Sequence, residues 1–286
     1  LEKSPLEDVE DICRHNDSCG GCIYQTMGYD HQLKMKCDQV KEIYDRAVEG
    51  EYAFDGIKGS PVNREYRNRM DFSFGDEYKG GPLSCGLHKQ FHFNDVITVD
   101  DCRIVDSDFK DLMMATLKYF QEKGVSHFNK IKHTGVLRNL IIRKAHKTSE
   151  ILYILITTSQ QELALDDLRD LLLKLPLKGT IVGIVHALYD NVSDDCGSDK
   201  NVILYGRDYI TEELLGLRFN ITPFSFFQTN SLGAEVLYKT VREFTESTHS
   251  DTVFDLYSGT GTITQILAPV CKKIIGVEIV KEAVEA

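Results

Sequence analysis

Three cysteines near the start of the chain are spaced closely enough to share one metal centre. Cys13, Cys19 and Cys22 form the pattern C-x5-C-x2-C, and Gly20 and Gly21 let the backbone turn tightly between the last two. Thiolates are soft ligands, and sets of four favour zinc or an iron-sulfur cluster. The spacing therefore predicts a metal site, whose fourth ligand lies elsewhere in the chain.

Two of the remaining cysteines are candidates for that fourth ligand. Cys102 ends a strand-like alternating stretch in ITVDDCRIVD, whereas Cys85 lies in the turn-rich stretch GGPLSCGLH. Spacing alone leaves both open. The competing interpretation, a chance cluster of small buried thiols, does not account for the glycine-spaced C-x2-C. We interpret Cys37, Cys196 and Cys271 as ordinary buried or surface thiols.

A second motif, TVFDLYSGTGTITQILA, joins a short apolar strand to an amphipathic helix through a glycine turn. Gly259 and Gly261 permit a tight turn and the close approach of a ligand, and the start of the helix presents free N–H groups. The next strand, KKIIGVEIV, ends with Glu278, 19 residues after Gly259, where a carboxylate can accept two hydrogen bonds from a ribose diol. The motif is therefore predicted to bind a nucleotide-containing cofactor.

Two residues favour S-adenosylmethionine as this cofactor. Thr264 stands where a dinucleotide fingerprint has its third glycine, which argues against a nicotinamide or a flavin. Asp255 lies near the end of the first strand, where its carboxylate could face the ammonium group of S-adenosylmethionine. The competing interpretation is a glycine turn that joins strand to helix without any ligand.

Basic and aromatic stretches indicate contact with RNA, although the chain as a whole is acidic. The net charge of −11 excludes a protein that coats nucleic acid indiscriminately, but residues 127–147 contain six Lys or Arg, three His and no acid. In NREYRNRM, alternation would send Arg67 and Arg69 to one side of a strand. In FSFFQTN, phenylalanines could stack a nucleobase, although a core strand would also explain them. The predicted RNA-binding residues are Arg64, Arg67, Arg69, Lys130, Lys132, Arg138 and Phe226.

Composition and hydrophobic pattern indicate a globular protein with more than one domain. The chain has 286 residues, 42% of them hydrophobic and 27% charged. No run of about 18 apolar residues occurs, and the first residues are acidic, so we expect neither a membrane span nor a secretory signal, and a cytoplasmic protein. In that compartment, clustered cysteines favour metal binding over disulfides.

Strands and helices are mixed along the middle of the chain without a βαβ rhythm, which predicts an α+β domain. One helix is expected to begin at a cap formed by Ser107 or Asp108 and to end at Gly124. The predicted divisions are a cysteine-containing loop (1–26), a helix that packs on the last domain (27–60), a central α+β domain that includes Cys102 (61–225) and the first part of a cofactor-binding domain (226–286).

Together these motifs closely resemble the RNA uracil-5 methyltransferases, in the branch that carries a [4Fe-4S] cluster and modifies 23S ribosomal RNA. The resemblance rests on the order and separation of the cysteine set, FFQTN, DLYSGTGT and GVE, and covers nearly all of the chain. It implies that the cluster ligands are Cys13, Cys19, Cys22 and Cys102. It also implies that the residues contacting S-adenosylmethionine are Gln228, Tyr257, Gly259, Gly261, Thr262 and Glu278.

The resemblance implies a fold and a reaction as well. The fold is an α+β central RNA-facing domain with an N-terminal iron-sulfur loop, joined to the first part of an α/β class I (Rossmann-like) methyltransferase domain. In the reaction, a cysteine thiolate adds to carbon 6 of uracil, carbon 5 takes the methyl group, and a base removes the proton from carbon 5. In the family, this cysteine and base lie downstream of GVE, and eight residues follow Glu278 here. We therefore expect no catalytic residue in this chain and no methyl transfer by the chain alone. We also expect a monomer.

Three alternatives remain open. The first is a non-catalytic iron-sulfur module that binds RNA. The second is a uracil-5 methyltransferase directed at tRNA, a branch that generally lacks the cysteine set. The third is a zinc-binding dehydrogenase, against which Thr264 argues.

Overall fold

The computed structural model describes residues 4–10, 12–193, 195–249, 251–279, 281 and 284. The helices within these ranges are α1 Tyr29–Ala47, α2 Ser107–Lys123, α3 Asp166–Leu172, α4 Ser231–Ser247 and α5 Thr262–Leu267, which is followed by a 3-10 turn at Ala268–Val270. The strands are β1 Arg69–Asp76, β2 Leu83–Lys89, β3 His92–Thr98, β4 Leu137–Lys144, β5 Glu150–Thr157, β6 Thr180–Leu188, β7 Lys200–Gly206, β8 Ile210–Leu214, β9 Leu217–Ile221, β10 Thr252–Leu256 and β11 Lys273–Val277. No described helix is long and apolar enough to cross a membrane.

Seven strands form one mixed sheet in the order β2-β3-β1-β4-β5-β6-β7. Neighbouring strands are antiparallel except for the pairs β1–β3 and β5–β6, which are parallel. The parallel pair β5–β6 is connected by α3, because parallel neighbours need a crossover between them. The mixed sheet confirms the predicted mixture of strands and helices in the middle of the chain. The predicted domain boundaries stay predictions.

The central strands are buried because both faces of the sheet are covered. Leu140 and Ile142 of β4 pack in a core with α2 and α3, whereas Ile141 between them packs in a second core with β8, β9, α4 and α5. Successive side chains of a strand point to opposite faces, so one apolar run supplies both cores. Such continuous burial explains the near-continuous apolar sequences of β4 and β5.

The ends of α2 are determined by local chemistry. Asp106, rather than the predicted Ser107 or Asp108, is the N-cap, since its extended backbone lets its carboxylate accept the Asp108 N–H at 2.8 Å. Gly124 ends the helix in the left-handed conformation with φ 65°, as predicted. The structure therefore moves the start of the helix by one position and keeps its end.

The Asp108 side chain does not cap α2 and instead ties the helix to the sheet. It is 1% exposed, and its carboxylate accepts hydrogen bonds from Lys144 Nζ at 2.7 Å and from the backbone N–H groups of Lys178 and Gly179 at 2.8 Å. Burial alone raises the pKa of Asp108, but these donors outweigh burial and hold the pKa below its ordinary value. This carboxylate therefore joins α2, β4 and the segment before β6.

Asp108→Asn is expected to lower the free energy of unfolding by about 3 kcal/mol at pH 7, because it leaves the Lys144 ammonium without this carboxylate in a buried setting. The pKa of Asp108 is lower in the folded chain than in the unfolded one. Its contribution is therefore complete above the unfolded pKa and is lost as the pH falls through the folded pKa. Urea denaturation at pH 7 and at about pH 3 should show that the difference in free energy of unfolding between variant and wild type is smaller at the lower pH. The exposed Asp111 on the same helix supplies the control Asp111→Asn, and a pH-independent Asp108→Asn effect would contradict the assignment.

The C-terminal part of the described chain is a parallel βαβ unit. β10 and β11 pair in parallel from Thr252–Lys273 to Leu256–Val277, and α5 crosses between them. The strand, turn, helix and second strand agree with the sequence prediction. The β8–β9 hairpin and α4, which precede this unit, were not predicted. They matter because Tyr238 of α4 and Ile266 of α5 share a core with the large sheet.

Candidate functional site

The four predicted cluster cysteines lie together, although they come from two distant parts of the chain. Cys13 and Cys102 are buried at 5% and 7% exposure, and Cys19 and Cys22 are partly buried. Burial raises the pKa of Cys19, Cys22 and Cys102, and neighbouring thiols of the group raise it further. Each of the four thiols is in this way an electrostatic neighbour of the other three.

Cys85 is not part of this group. Its side chain is fully buried in the core under α2, and burial is the cause that raises the pKa of its thiol. In the part of the chain that the structure describes, no three His, Cys, Asp or Glu side chains converge as closely as a single metal ion requires. The structure therefore brings the four predicted thiols together, while the predicted metal itself is not confirmed.

The cysteine loop is held on the β2–β3 hairpin by its backbone. Gly20 N–H donates to the His88 carbonyl at 3.0 Å, and Gln90 N–H donates to the Ser18 carbonyl at 2.7 Å. A Cβ at Gly21 would lie 2.9 Å from Leu87 Cδ1 and 3.3 Å from Cys19 Sγ, so glycine eases the close approach of these side chains rather than supplying a positive φ. His15 bonds to Asp100 at 2.8 Å and fastens the loop to the segment that carries Cys102.

The glycine turn after β10 has the geometry that its sequence predicts. Gly259 and Gly261 have φ of 55° and 73°, which L side chains rarely adopt. Gly259 N–H donates to Glu278 Oε2 at 2.8 Å, although the two residues are 19 positions apart. The carboxylate that ends the second strand therefore lies beside the turn that ends the first strand.

Tyr257 and Thr262, predicted to contact the cofactor, lie at the two ends of this turn. Tyr257 is 90% exposed and has φ 63°, an uncommon conformation for a residue with a Cβ and one that accumulates at functional sites. Thr262 is the first residue of α5, and its hydroxyl lies 3.5 Å from the Thr260 hydroxyl. Both polar groups thus border the same turn as Glu278.

The Asp255 carboxylate already has a hydrogen-bond partner inside the protein. It is 9% exposed and accepts a hydrogen bond from the Thr264 hydroxyl at 2.6 Å. The threonine at the third-glycine position thus supplies a hydrogen-bond donor to a buried acidic side chain. Burial and the Asp255 carboxylate raise the pKa of Tyr238, and a hydrogen bond from the Gln228 side chain opposes them. Tyr238 therefore interacts with Gln228 and is also an electrostatic neighbour of Asp255, and sequence analysis missed this tyrosine.

The segment that carries Gln228 is joined to the start of β1. Asn68 N–H donates to the Thr229 carbonyl at 2.8 Å. The Asn68 side-chain amide donates to the Gln228 carbonyl and to Ser231 Oγ, both at 2.9 Å. A buried arginine of β4, Arg143, adds hydrogen bonds to the carbonyls of residues 223 and 225. Burial lowers the pKa of Arg143 to about 9. An arginine inside the apolar run LRNLIIRK is the sequence signal that could have predicted this buried role.

Three of the predicted RNA-binding arginines have intramolecular partners instead of a common exposed surface. Arg138 is 7% exposed, and its guanidinium lies over the rings of Phe128 and Tyr189 and donates to backbone carbonyls of residues 189–193. Arg67 Nε donates to the Arg69 carbonyl at 2.8 Å. Arg69 donates two hydrogen bonds of 2.7 and 2.9 Å to the Asp71 carboxylate. Arg138 is therefore held inside the scaffold, whereas Arg67 and Arg69 are half-buried, and the contact of these three arginines with RNA stays a prediction.

The other predicted RNA-binding residues are exposed. Lys130 and Lys132 lie in the loop before β4, and Arg64 lies in the segment before β1. Phe226 is 77% exposed, whereas its neighbour Phe227 is 8% exposed and packs against Phe219. The two phenylalanines therefore divide between the surface and the core, and only Phe226 can offer its ring to a ligand.

Comparison with known proteins finds relatives that are named RNA methyltransferases. The chain matches no protein-family model. It is 48% identical over 286 residues to an uncharacterized RNA methyltransferase of Clostridium tetani, covering 100% of this chain and 62% of that protein. It is 45% identical over 284 residues to an uncharacterized RNA methyltransferase of Caldanaerobacter subterraneus subsp. tengcongensis, covering 99% of this chain and 63% of that protein.

One solved structure is similar over the whole chain. It is the tRNA (uracil-54, C5)-methyltransferase of Pyrococcus abyssi in complex with S-adenosyl-L-homocysteine, with a TM-score of 0.75 and 26% sequence identity. The similarity covers 100% of this chain and 62% of that chain. The chain therefore has the fold of the corresponding part of that methyltransferase, and spans about three fifths of the length of the relatives it matches.

Proposed function

We propose that this chain forms the donor-binding and RNA-facing part of an S-adenosylmethionine-dependent RNA methyltransferase that acts on carbon 5 of uracil. The observation that carries the proposal is the 2.8 Å hydrogen bond from Gly259 N–H to Glu278. It brings a carboxylate beside a glycine turn at the carboxyl edge of two parallel strands, the edge at which α/β units bind nucleotides. The names of the relatives support RNA as the substrate, and the solved neighbour supports uracil.

S-adenosylmethionine would supply the methyl group on its sulfonium. Glu278 would accept hydrogen bonds from the ribose hydroxyls of the donor, and Gly259 and Gly261 would keep the turn free of side chains. Gln228, Tyr257 and Thr262 would contribute the remaining polar contacts. By resemblance to the family, methyl transfer would also require a cysteine that forms a covalent adduct with carbon 6 of uracil.

The resemblance of the cysteine set supports a [4Fe-4S] cluster as the group that the four thiols would hold. Sets of four thiolates suit such a cluster or a zinc ion. The four thiols are electrostatic neighbours. Bound through Cys13, Cys19, Cys22 and Cys102, the cluster would hold the N-terminal loop on the segment after β3, and methyl transfer needs no redox step from it.

Exposed basic and aromatic side chains supply the proposed contacts to RNA. Lys130 and Lys132 can neutralise phosphates, and the ring of Phe226, two residues from Gln228, can stack a base close to the donor site. The buried Arg138 and the half-buried Arg67 and Arg69 have hydrogen-bond partners within the protein. The substrate would be 23S ribosomal RNA by the resemblance of the cysteine set, or tRNA by the solved neighbour.

Deletion of the gene is expected to remove 5-methyluridine from one or more positions of 23S ribosomal RNA. Mass spectrometry of RNase digests from deletion and parent cells, for 23S ribosomal RNA and tRNA separately, measures this loss. A copy of the full-length gene should restore the modification. Loss from tRNA alone would assign the enzyme to the tRNA substrate, and unchanged 5-methyluridine in both RNAs would contradict the proposed function.

A further inference from the structure

A groove separate from the glycine turn lies between the cysteine loop, α1 and the segment before β1, and Cys22 of the cysteine group is one of its lining residues. Its volume is about 570 Å³, which falls among the roughly 300–1,000 Å³ of typical small-molecule sites. A second hollow of about 330 Å³ continues it along residues 60–64. The space therefore suits one nucleotide, with an extension in which a chain can continue.

The lining of this groove is cationic in a chain that is acidic. Lys36, Arg64 and Arg103 line it, and no Asp or Glu occurs among the described lining residues, although Arg103 also pairs with Asp101 at 3.3 Å. The chain as a whole has 44 Asp and Glu against 33 Lys and Arg. Segregation of one sign of charge in a concave surface concentrates ligands of the opposite sign. The groove therefore favours an anion such as a phosphodiester.

Aromatic and amide groups accompany the cations. Tyr24 and Tyr66 line the groove, and the Lys36 ammonium lies 6.0 Å from the centroid of the Tyr24 ring. Gln32 holds this region by donating to the carbonyls of Tyr24 and Met27 at 3.0 and 2.9 Å. Aromatic faces beside basic side chains are the combination that binds single-stranded RNA, in which a base stacks and its phosphate is neutralised.

The groove borders the proposed donor site through Asn230. This residue lines the groove, donates to Ser60 Oγ at 2.9 Å and caps α4 by accepting the Gly233 N–H at 2.8 Å. It stands two positions after Gln228, whose side chain interacts with Tyr238, an electrostatic neighbour of Asp255. An RNA strand that presents its target base beside Gln228 can therefore reach the groove with a neighbouring nucleotide.

We propose that this groove binds a nucleotide of the RNA next to the target uridine, an inference that rests on the proposed function. Tyr24 and Tyr66 stack its base, and Lys36 and Arg64 neutralise its phosphate. The groove thereby holds the strand on one side while the target base is turned out of the stack toward the donor.

The test is the binding of fluorescein-labelled decauridine RNA to the full-length protein saturated with S-adenosylhomocysteine, measured by fluorescence anisotropy at several salt concentrations. Tyr24→Ala is expected to weaken binding about tenfold by removing one stacking surface. Arg64→Gln should weaken binding and reduce the salt slope by about 0.7. Tyr78→Ala and Arg46→Gln, which alter exposed residues outside the groove, are the matched controls and should bind as the wild type does.

The affinity for S-adenosylhomocysteine, measured on the same variants by calorimetry, separates two kinds of failure. Groove variants that keep this affinity and lose RNA affinity support the inference. Unchanged RNA affinity and salt slope in both groove variants, with a wild type that binds both ligands, overturns the groove and leaves the proposed function intact. A wild type that binds neither ligand overturns both.

Discussion

Replacement of Cys102 by serine is expected to reduce bound iron from about four atoms per chain to nearly none and to remove the brown colour of anaerobically purified protein. Cys102 is 7% exposed, and its thiol neighbours the other three thiols of the group. Without the cluster, the link between Cys22 and Cys102, 80 positions apart, is lost. Closing a loop of this length contributes about 4 kcal/mol in the chain-entropy description. Iron analysis, visible absorption and anaerobic urea denaturation measure the three effects.

Two other cysteines serve as controls for this prediction. Cys37→Ser should keep the iron, because Cys37 lies on the exposed helix α1. Cys85→Ala should lose stability through a cavity in the core and still keep the iron, because Cys85 is fully buried apart from the group. A colourless wild type with one zinc per chain would contradict the cluster. Full iron content in Cys102→Ser would contradict this ligand.

Glu278→Ala is expected to weaken the binding of S-adenosylhomocysteine to the full-length protein by at least about 150-fold. A carboxylate that accepts two hydrogen bonds from a ribose diol loses both in the variant, and each hydrogen bond to a charged group is worth about 1.5–3 kcal/mol. Glu278→Gln keeps one acceptor oxygen and should fall between the variant and the wild type. Isothermal titration calorimetry measures the three dissociation constants.

The matched control is Glu246→Ala, which removes an exposed carboxylate from the last turns of α4. Its affinity for S-adenosylhomocysteine should equal that of the wild type. Thermal unfolding without ligand tests whether Glu278→Ala also loosens the glycine turn, since Gly259 N–H donates to this carboxylate. Wild-type affinity in Glu278→Ala would remove Glu278 from the donor site.

Features that depend on near neighbours in the sequence were predictable. Gly124 ends α2 because a left-handed residue follows the helix, and Gly259 and Gly261 adopt the positive φ that their turn requires. The position of Glu278 beside the turn follows from the pairing of two parallel strands in register. Local spacing and backbone chemistry contain this information, so the geometry of the glycine turn and the position of Glu278 could be predicted.

Features that depend on what covers a surface were not predictable in the same way. The basic stretch around Arg138 was interpreted as exposed, but the partners of Arg138 are carbonyls more than 50 positions away. Basicity does not reveal which face of a strand is covered. Helix α4 was missed although Asn230 is a standard cap and SLGAEVLYKTVREFTES is amphipathic. Tyr238, which interacts with Gln228 and is an electrostatic neighbour of Asp255, was missed with it.

The hydrogen bond from the Asn68 amide to the Gln228 carbonyl spans 160 positions of sequence. Contacts this distant form late, since the entropy of closing the intervening loop must be overcome before they contribute. Strands β1 to β7 of the large sheet all lie between these two residues, so they leave the ribosome before Gln228 does. We therefore expect the sheet to be able to fold during synthesis before the donor-binding residues have been made.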